Sequence, residues 1–496
     1  MLVYLIILGI LWLIVTVKAV LFWVCLWQLK EYHVGRFADH FRTAKGKALL
    51  FDKLRIVKLA IVVSFIFNPL VLFALTPLIY LAEAGKIVPA IYKKKILKPI
   101  FTRKIIFVVL VSIFSEIAAV LAVFDYIEGK VWLSVFFFPL LLLIIDLLTP
   151  FIVALLVLLF KPITYFSVKM ILLRAGRKRD QFKDLIVIGI TGSYGKTSTK
   201  EILYDILSEK FRVIKTKKHI NAEVGIAKTI LDDLKEEHQI LIAEIGAYNV
   251  GKIKEVCRVI KPKIGILTGI NEQHMATFGS QEKIIKAKHE IFECLPENGI
   301  KILRDRIKLK AEQIVGNKDN VLFRVNGVDF KLNMLGRHNI ENVLLAVDCA
   351  MKLGMTLEEI SKACSKIRPE LGGMTLFKKE SPTIIDSSYS SNPTGVISDL
   401  EYLKLYAGKK AVVMPCLIEL GKSSKDVHQR IGKKLNEACD LAIITSKERF
   451  DVIKKECPKA IYSEDGELIT QKLKECDVVL LEGRTSKNIL DKIKCI

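Results

Sequence analysis

Apolar positions are distributed very unevenly along the chain. The first 160 residues hold long, almost uninterrupted apolar stretches, and the hydropathy falls sharply at Lys161. A helix needs about 20 apolar residues to cross a bilayer core of about 30 Å. Four stretches approach or exceed that length, at residues 2–27, 59–81, 105–124 and 131–160. The pattern predicts an α-helical membrane domain over residues 1–160; the alternative is a set of buried helices in a large soluble protein.

The stretch 59–81 is the ambiguous one, because the loops on both sides of it are rich in Lys and Arg. Such loops favour the cytoplasm, yet a single crossing would put one of them outside. Asn68-Pro69 near its middle disfavours a continuous helix. A re-entrant or kinked hairpin with both ends in the cytoplasm is therefore predicted, and four plain spans are the alternative. Residues 2–27 lack the basic leader of a cleaved signal peptide and are predicted to be retained.

Two acidic residues, Glu116 and Asp146, lie within these apolar stretches. Charged groups at such depth are costly and tend to face protein or a polar cavity. We expect them either to contact a substrate or to pair with Lys130.

The second half of the chain has a different pattern of apolar and polar residues from the first. Residues 161–183 are basic with interleaved aromatic residues, which is typical of an interfacial helix and linker on an anionic leaflet. After them, short apolar runs alternate with amphipathic helical patterns, which indicates α/β architecture with parallel sheets. The runs read as strands are residues 185–190, 240–244, 264–268, 383–386, 411–414, 441–445 and 478–481.

The first of these strands leads directly into a glycine-bearing turn and a helix. The turn reads T-G-S-Y-G-K-T-S from Thr191 to Ser198, shorter than the standard phosphate-binding motif, which would need glycine at Ile190. Backbone N–H groups at such a helix start surround a phosphate, with Lys196 as a point charge and Thr197 available to Mg²⁺. The alternative is a glycine turn with a chance Gly-Lys-Thr.

Composition narrows the function classes. The chain of 496 residues is 51% hydrophobic and 26% charged, which excludes collagen-like, disordered and small disulfide-stapled proteins. The formal net charge of +23 is shared by both halves and accompanies no nucleic-acid-binding motif, so nucleic acid is not an expected partner. The 10 cysteines contain no C-x-x-C pair, so reduced thiols and no zinc site are expected.

From about residue 184 to 496 the chain resembles the Mur ligases, the ATP-dependent amide ligases that build wall peptides, and most closely those adding D-alanyl-D-alanine. Besides the phosphate loop, the resemblance is carried by H-I-N-A-E-V-G (219–225), E-I-G-A (244–247), H274 with F-G-S (278–280), A-K-H-E-I-F (287–292), G-R-H-N-I-E-N (336–342), D-S-S-Y-S-S-N-P (386–393) and I-E-L-G (418–421). It implies a phosphate-loop central domain with a parallel sheet over 184–370 and a Rossmann-like C-terminal domain over 371–496.

The resemblance also implies roles for individual residues, and ATP and Mg²⁺ as cofactors. Lys196, His274 and a carbamylated Lys288 would be catalytic. Mg²⁺ would be held by Thr197, Glu244 and His274. The residues implied in ATP binding are Gly192, Gly195, Lys196, Thr197, Ser198, Asn339, Asn342 and Asp386. From the residues alone, Glu244 is also readable as a helix cap, Lys288 as part of a solvated face with Lys283 and Lys286, and Asn339 and Asn342 as a cap and a surface residue.

Several motifs depart from the family pattern. Asn-Asn-Glu becomes Asn221-Ala222-Glu223, and Gly-Arg before the last domain becomes Gly372-Gly373. Asp-Asp-Ser-Tyr becomes Asp386-Ser387-Ser388-Tyr389, so either Asp386 holds the ribose or Ser387 does so weakly. G-D-M-L-E-L-G becomes P-C-L-I-E-L-G (415–421), and Lys-Gly-Ser-Arg becomes E-G-R-T (482–485). Most departures lie in or near the domain that would bind the incoming amine. The family's uridine-binding N-terminal domain has no counterpart.

The expectation is a multi-pass protein of the cytoplasmic membrane whose catalytic domains lie in the cytoplasm. It would join a wall-precursor carboxylate, lipid-linked or soluble, to an amino acid or dipeptide through an acyl phosphate. A lipid-linked substrate would meet Lys93–Lys95 and Arg174–Arg179 through its phosphates. The alternative is a membrane transporter or scaffold whose Mur-like domain only binds or hydrolyses nucleotide.

Overall fold

The computed structural model describes residues 2–30, 32, 34–41, 44–92, 96–127, 131–217, 220–368, 373–377, 382–388 and 392–494. The predictions made for Lys93–Lys95, Lys130, His219, Gly372 and Tyr389–Ser391 lie outside these residues. The chain divides into a helical unit, residues 1–167, and an α/β unit, residues 168–496. The predicted fold class, apolar helices followed by parallel α/β domains, is confirmed.

The described residues of the helical unit form seven helices before the boundary region. They are α1 (Leu2–Leu29), α2 (Val34–His40), α3 (Ala44–Leu50), α4 (Lys53–Ser64), α5 (Pro69–Tyr92), α6 (Arg103–Ile127) and α7 (Val131–Leu159). Four segments of them are long and apolar enough to cross a membrane, namely Val3–Leu29, Pro69–Tyr92, Arg103–Asp125 and Phe136–Leu159.

The stretch 59–81 is divided between α4 and α5, and the break falls just before Pro69. The two helices form a hairpin. Its turn lies at the end of the unit where α1 begins, since Tyr4 Oη donates to the Phe73 carbonyl at 2.8 Å and the Phe65 ring meets Phe137 at the start of α7. The start of α4 lies at the other end, where Arg55 stacks over the Trp23 ring.

That other end also holds the start of α6, because Gln28 near the end of α1 exchanges hydrogen bonds with the backbone of Ile100 at 2.8 and 3.2 Å. The segments before α4 and after α5 thus leave the bundle from the same end. The second arm of the hairpin runs to Tyr92, beyond the predicted limit at Leu81, and tolerates Pro77 within it.

An ionic cluster lies inside this bundle. Lys58 of α4 is 3% exposed and donates to Asp146 of α7 at 2.5 Å and to Glu83 of α5. Glu116 instead accepts from the Thr149 hydroxyl at 3.1 Å. The expected partner Lys130 lies outside the described residues, so the partner that the structure assigns to Asp146 is Lys58.

The basic segment after residue 160 forms one helix, α8 (Lys161–Asp180), and the boundary between the two units falls within it. Lys178 Nζ donates to the Leu231 carbonyl at 2.8 Å, and Arg179 Nε donates to the Ile260 carbonyl at 3.0 Å. Of the residues expected to meet lipid phosphates, these two are therefore engaged by the α/β unit, while Arg174 and Arg177 are exposed.

The α/β unit begins with a five-stranded parallel sheet in the order β2-β3-β1-β4-β5. Its strands are β1 (Ile186–Thr191), β2 (Val213–Lys215), β3 (Ile240–Glu244), β4 (Ile264–Leu267) and β5 (Ile300–Leu303). Its helices are α9 (Lys196–Ser208), α10 (Glu223–Lys228), α11 (Lys252–Ile260), α12 (Met275–Phe278), α13 (Gln281–Glu293), α14 (Asn339–Lys352) and α15 (Leu357–Ser365). Every residue of β3 and β4 is buried, as expected for parallel strands covered on both faces.

A second sheet has the order β13-β12-β11-β14-β10-β9 and is parallel except for β9. Its strands are β9 (Thr375–Phe377), β10 (Thr383–Ser387), β11 (Lys410–Met414), β12 (Leu441–Ile444), β13 (Ala460–Tyr462) and β14 (Val478–Glu482). Its helices are α16 (Pro393–Leu403), α17 (Ser424–Ala438), α18 (Phe450–Glu456), α19 (Gly466–Leu473) and α20 (Lys487–Ile493). One face packs on α16 and α17, and the other packs on α19 and α20.

Along the chain, the segment between the two sheets forms an antiparallel meander that the sequence pattern did not indicate. It consists of β6 (Glu312–Gly316), β7 (Val321–Val325) and β8 (Val328–Leu332). All seven predicted strands are present within a residue or two. The missed strands β2, β5, β9 and β13 lie at sheet edges and are only partly buried, so they lack the apolar character of the central strands.

Candidate active site

The phosphate-type loop follows β1, the central strand of the first sheet. Gly192 has φ 153° and Gly195 has φ 78°. A Cβ on Gly192 would lie 2.0 Å from Thr268 Oγ1, and one on Gly195 would lie 2.4 Å from Asn342 Oδ1. Only glycine fits both positions, because neighbouring segments approach the loop backbone so closely. At these two glycines, no side chain covers the backbone N–H groups between the loop and the start of α9.

Lys196 and Thr197 open α9. Lys196 Nζ donates to the carbonyls of Gly192 at 2.8 Å and Ser193 at 3.2 Å, so its ammonium is curled over the loop. Burial lowers the pKa of Lys196, and the charge of Glu244 partly opposes that shift. Ser198, in the same first turn, is partly exposed. A cation held against this loop is placed to meet a phosphate.

Glu244 ends β3 with its side chain 1% exposed. Its carboxylate accepts from Thr197 Oγ1 at 3.0 Å and from Asn221 Nδ2 at 3.1 Å, and it pairs with Lys200 Nζ at 3.2 Å. It does not cap a helix. The oxygens of Thr197 and Glu244 form the hard donor set that Mg²⁺ prefers, and Mg²⁺ commonly takes only one or two carboxylates together with phosphates.

Among the described residues, no group of three or more His, Cys, Asp and Glu side chains is placed to hold a metal ion. The Lys200 contact was missed from the sequence. It lies one turn after Thr197 on α9, and that helical spacing was the available signal.

Lys288 lies on α13 and is 2% exposed, whereas Lys283 and Lys286 are exposed. It therefore does not share their solvated face. Burial, followed by the nearby charge of Lys196, lowers the pKa of Lys288 from its ordinary value of 10.5 to about 7. A substantial fraction of this amine is neutral at neutral pH, which is unusual for a lysine.

His274 precedes the short helix α12 and has φ 67°. Its Nδ1 lies 2.6 Å from Glu419 Oε2, and because a carboxylate can only accept, Nδ1–H donates and Nε2 is left with its lone pair. Burial lowers the pKa of His274, and the charges of Lys196 and Lys288 act in the same direction while Glu419 opposes them. The ring is thus held neutral in an orientation suited to a ligand.

Asn339 and Asn342 are buried in the first turn of α14. Asn342 Oδ1 accepts from Thr199 Oγ1 at 3.4 Å, and its Nδ2 donates to Asn339 Oδ1 at 3.3 Å. Both residues thus lie against the start of α9, beside the phosphate loop, and not on the surface. Lys196, Thr197 and Glu244 are joined to this place by hydrogen bonds, and His274 and Lys288 lie close enough to Lys196 for its charge to lower their pKa values.

Asp386 is not brought to this group. It lies on β10 with its side chain towards α20, where Lys494 Nζ pairs with it at 2.6 Å. These contacts with Lys494 and Ser388 lower the pKa of Asp386 against the opposing effect of its burial. The next residue, Ser387, faces the other side of the sheet and donates to Asp399 of α16 at 2.5 Å. Asp399 and the buried Glu482 were not singled out from the sequence.

Two protein-family models match segments of the α/β unit. Residues 190–317 match the Mur ligase middle domain, and residues 374–485 match the Mur ligase glutamate ligase domain, which is the C-terminal one. Residues 190–317 thus form a Mur ligase middle domain, and residues 374–485 form a Mur ligase C-terminal domain.

Curated relatives include the UDP-N-acetylmuramoyl-tripeptide–D-alanyl-D-alanine ligase of Bacillus subtilis, 30% identical over 272 residues, which are 50% of this chain and 59% of the relative. The chain thus spans about three fifths of the length of such relatives. MurF from Acinetobacter baumannii has the same fold at 24% identity, with a TM-score of 0.62 over 66% of this chain and 81% of the other. A MurF ligase from Thermotoga maritima, solved with ADP, is 26% identical with a TM-score of 0.60, covering 66% and 84%.

Proposed function

We propose that this protein is a membrane-anchored, ATP-dependent amide ligase of cell-envelope precursor synthesis. The observation that carries the proposal is the convergence of Lys196, Lys288 and His274 on the phosphate loop beside Glu244. The buried Lys288 and the partly buried Lys196 and His274 lie within electrostatic range of one another, and such a group favours an anionic ligand. Transfer of a phosphoryl group to a carboxylate supplies such an anion in the substrates and in the transition state.

In this proposal the loop N–H groups and Lys196 bind the β- and γ-phosphates of ATP. Mg²⁺ would be held by Thr197 and Glu244, and when bound it neutralises charge between the phosphates and the acceptor carboxylate. The substrate carboxylate attacks the γ-phosphorus and ADP leaves, which produces an acyl phosphate. A free amine then attacks the acyl carbon, inorganic phosphate leaves, and the amine proton passes to a base.

Lys288 has a specific role here. Its neutral amine adds to CO₂ and releases a proton, so the cation becomes a carbamate anion with two oxygen donors. The lowered pKa of Lys288 supports this conversion, since only the unprotonated amine reacts. The carbamate oxygens and His274 Nε2 would then be available as further ligands for a divalent cation.

The relatives that share these domains are named for UDP-N-acetylmuramoyl-tripeptide and D-alanyl-D-alanine. For this chain we propose a wall-precursor carboxylate and an amino acid or dipeptide amine. A lipid-linked carboxylate is favoured by the apolar helices and by the exposed Arg174 and Arg177 that follow them. A comparison of a lipid-linked with a uridine-linked precursor as substrate of full-length protein in vesicles tests this choice; equal rates would contradict it.

The proposed function is tested by incubating the purified full-length protein with ATP and an envelope extract and searching by mass spectrometry for peptides or lipids that gain an amino acid or dipeptide. Lys196→Ala is expected to lower product formation by about 10²- to 10³-fold, because a charge-assisted phosphate contact is lost. Lys210→Ala, in the exposed turn that follows the same helix, is the matched control. An active Lys196→Ala protein would contradict the assignment of the loop.

A second candidate, a transporter or scaffold with a nucleotide-binding domain, is favoured by one observation, the Lys58–Asp146–Glu83 cluster inside the helical unit. Intramembrane charges often mark ion or substrate pathways. The two candidates differ in one measurable property, the dependence of ADP release on an added amine. Release that is equally fast without any amine would favour the second.

A further inference from the structure

A layer of polar side chains crosses the interior of the helical unit at one depth. Thr16 of α1, Glu116 of α6, and Asp146 and Thr149 of α7 all stand within two residues of the midpoints of their candidate membrane spans. All four are buried, with exposed fractions between 0% and 8%. In the proposed membrane domain this layer lies near the middle of the bilayer, where polar side chains are costly and often mark binding sites.

Two apolar clusters lie on either side of this layer. On α1, the buried members of one cluster end at Val15 and those of the other begin at Val20. On α7, the same two clusters are divided between Ile145 and Val153. Because the helices pass from one cluster to the other at the same depth, the polar residues between the clusters face the interior of the unit together.

Two oxygens of the layer have no hydrogen-bond partner among the described residues. They are Thr16 Oγ1 and Glu116 Oε1, on side chains that are 0% and 1% exposed. A buried hydroxyl on a helix usually donates to the carbonyl one turn earlier, as Thr76 does to Leu72 at 2.7 Å in this unit. Buried polar atoms are nearly always satisfied, so these two oxygens indicate a ligand between the helices.

Asp146 adds a third oxygen through its backbone. Pro150 follows it by four residues within α7 and has no N–H, so the Asp146 carbonyl lacks its helical donor. In α5, Pro77 frees the Phe73 carbonyl in the same way, and the Tyr4 hydroxyl donates to it at 2.8 Å. No side chain of the described residues donates to the Asp146 carbonyl in this manner.

The charges of the layer favour a cation. Lys58 Nζ pairs with both Asp146 and Glu83, so one ammonium is shared by two carboxylates, and Arg55 lies within electrostatic range of the same two. The charge within range of Glu116 is that of Asp146, which has the same sign, and no basic side chain of the described residues accompanies it. A buried carboxylate without a counter-charge is costly, so Glu116 lacks a positive partner.

We propose that this layer binds Na⁺, with Glu116 supplying the negative charge and Thr16, Thr149 and the Asp146 carbonyl supplying neutral oxygens. A proton on Glu116 would leave the Thr16 hydroxyl and the Asp146 carbonyl unsatisfied, whereas a hard cation takes several oxygen ligands at once. Carbonyls freed from a helix near the bilayer centre coordinate the coupling ion in secondary transporters. The inference does not depend on the ligase function, and it gives the helical unit an ion-binding activity beyond anchoring.

The test is equilibrium binding of radioactive Na⁺ to the purified full-length protein in detergent, with choline chloride keeping the ionic strength constant. The wild-type protein is expected to bind Na⁺ saturably. Glu116→Gln should weaken that binding by about 100-fold or more, because the charged ligand in a buried site is lost. Asp125→Asn, at the exposed end of the same helix, is the matched control and should bind Na⁺ as the wild type does.

Two further variants test the neutral ligands. Thr16→Val keeps the shape and the charge of the site and should weaken Na⁺ binding by about 10-fold. Thr76→Val is its control, since that hydroxyl already has a partner, and should leave the affinity unchanged. Pro150→Ala supplies the N–H that the Asp146 carbonyl lacks, so it should weaken Na⁺ binding severalfold.

Three outcomes would overturn the inference. They are a wild-type protein without saturable Na⁺ binding, a Glu116→Gln protein with the wild-type affinity, and a wild-type protein whose unfolding midpoint responds to pH through Glu116 but not to Na⁺. The last result would show that Glu116 carries a proton instead. Should Glu116→Gln aggregate during size-exclusion chromatography, Thr16→Val decides in its place, and a wild-type Na⁺ affinity of Thr16→Val would contradict the site.

Discussion

His274 Nδ1 lies 2.6 Å from Glu419 Oε2, and this contact joins the loop after β4 to the loop after β11. Both residues have positive φ, 67° and 64°, a conformation that non-glycine residues rarely adopt. The Ala276 N–H donates to the Glu419 carbonyl at 3.0 Å beside it. The middle and C-terminal domains thus meet at a histidine that the second domain orients.

Glu419→Gln is expected to lower amine-dependent ADP release by about 10- to 100-fold, because a neutral amide that can also donate replaces the acceptor-only carboxylate that fixes the tautomer and orientation of His274. The matched control is Glu272→Gln, which breaks the Glu272–Arg430 pair between the same two domains, in which the Arg430 side chain is 51% exposed. Exposed pairs contribute little, so this control should remain active. Equal losses in both proteins would indicate that Glu419 only holds the domains together.

Lys288→Ala is expected to abolish activity and to be partly rescued by acetate or formate, which can replace the carbamate. The exposed Lys286→Ala serves as the control on the same helix. Full activity of Lys288→Ala without any additive would contradict the assignment.

The wild-type activity should also depend on pH through Lys288. The amine is protonated below its pKa of about 7 and then cannot form a carbamate, so activity should fall as the pH drops through 7. Added bicarbonate should offset part of that loss. A pH profile that bicarbonate leaves unchanged between pH 6 and 8 would argue against carbamylation.

Lys58→Met is expected to destabilise the helical unit by about 3–5 kcal/mol, because the buried Asp146 and the partly buried Glu83 lose their counter-charge. The measurement is the unfolding midpoint of the detergent-solubilised protein in denaturant. Lys53→Met, on the exposed start of α4, is the control. Adding Glu83→Gln and Asp146→Asn to Lys58→Met should recover much of the loss, and a triple variant no more stable than the single one would contradict the account.

The α4–α5 hairpin leads to a topological prediction. If it enters and leaves the bilayer from one side, positions 45 and 94 are both cytoplasmic, and only the Met1 end and residues 125–130 face outward. A single cysteine at position 45 in a cysteine-free protein should then be inaccessible to a membrane-impermeant reagent added from outside. Labelling of position 45 from outside would contradict the hairpin and favour four plain spans with an external basic loop.

The local pattern of apolar residues and glycines was sufficient to predict the main outline of the fold. The seven central strands, the phosphate loop and the change from apolar helices to α/β structure all depend on features within a few residues of each other, such as runs of buried residues and glycines before a helix. The edge strands and the β6–β8 meander were missed because they are partly exposed and so lack the apolar runs of the fully buried central strands, and pairing partners elsewhere in the chain decide them.

What the sequence by itself determined was which residue types stand at the ends of the strands, including Glu244, His274 and Asp386. Only the tertiary structure decided which of them meet. Lys288 differs from Lys283 and Lys286 by its place on α13 relative to the sheet, and Asp386 is separated from α14 because the pleat turns it towards α20. Burial and sheet face depend on segments distant in sequence, which bring a partner to one side chain and not to its neighbour.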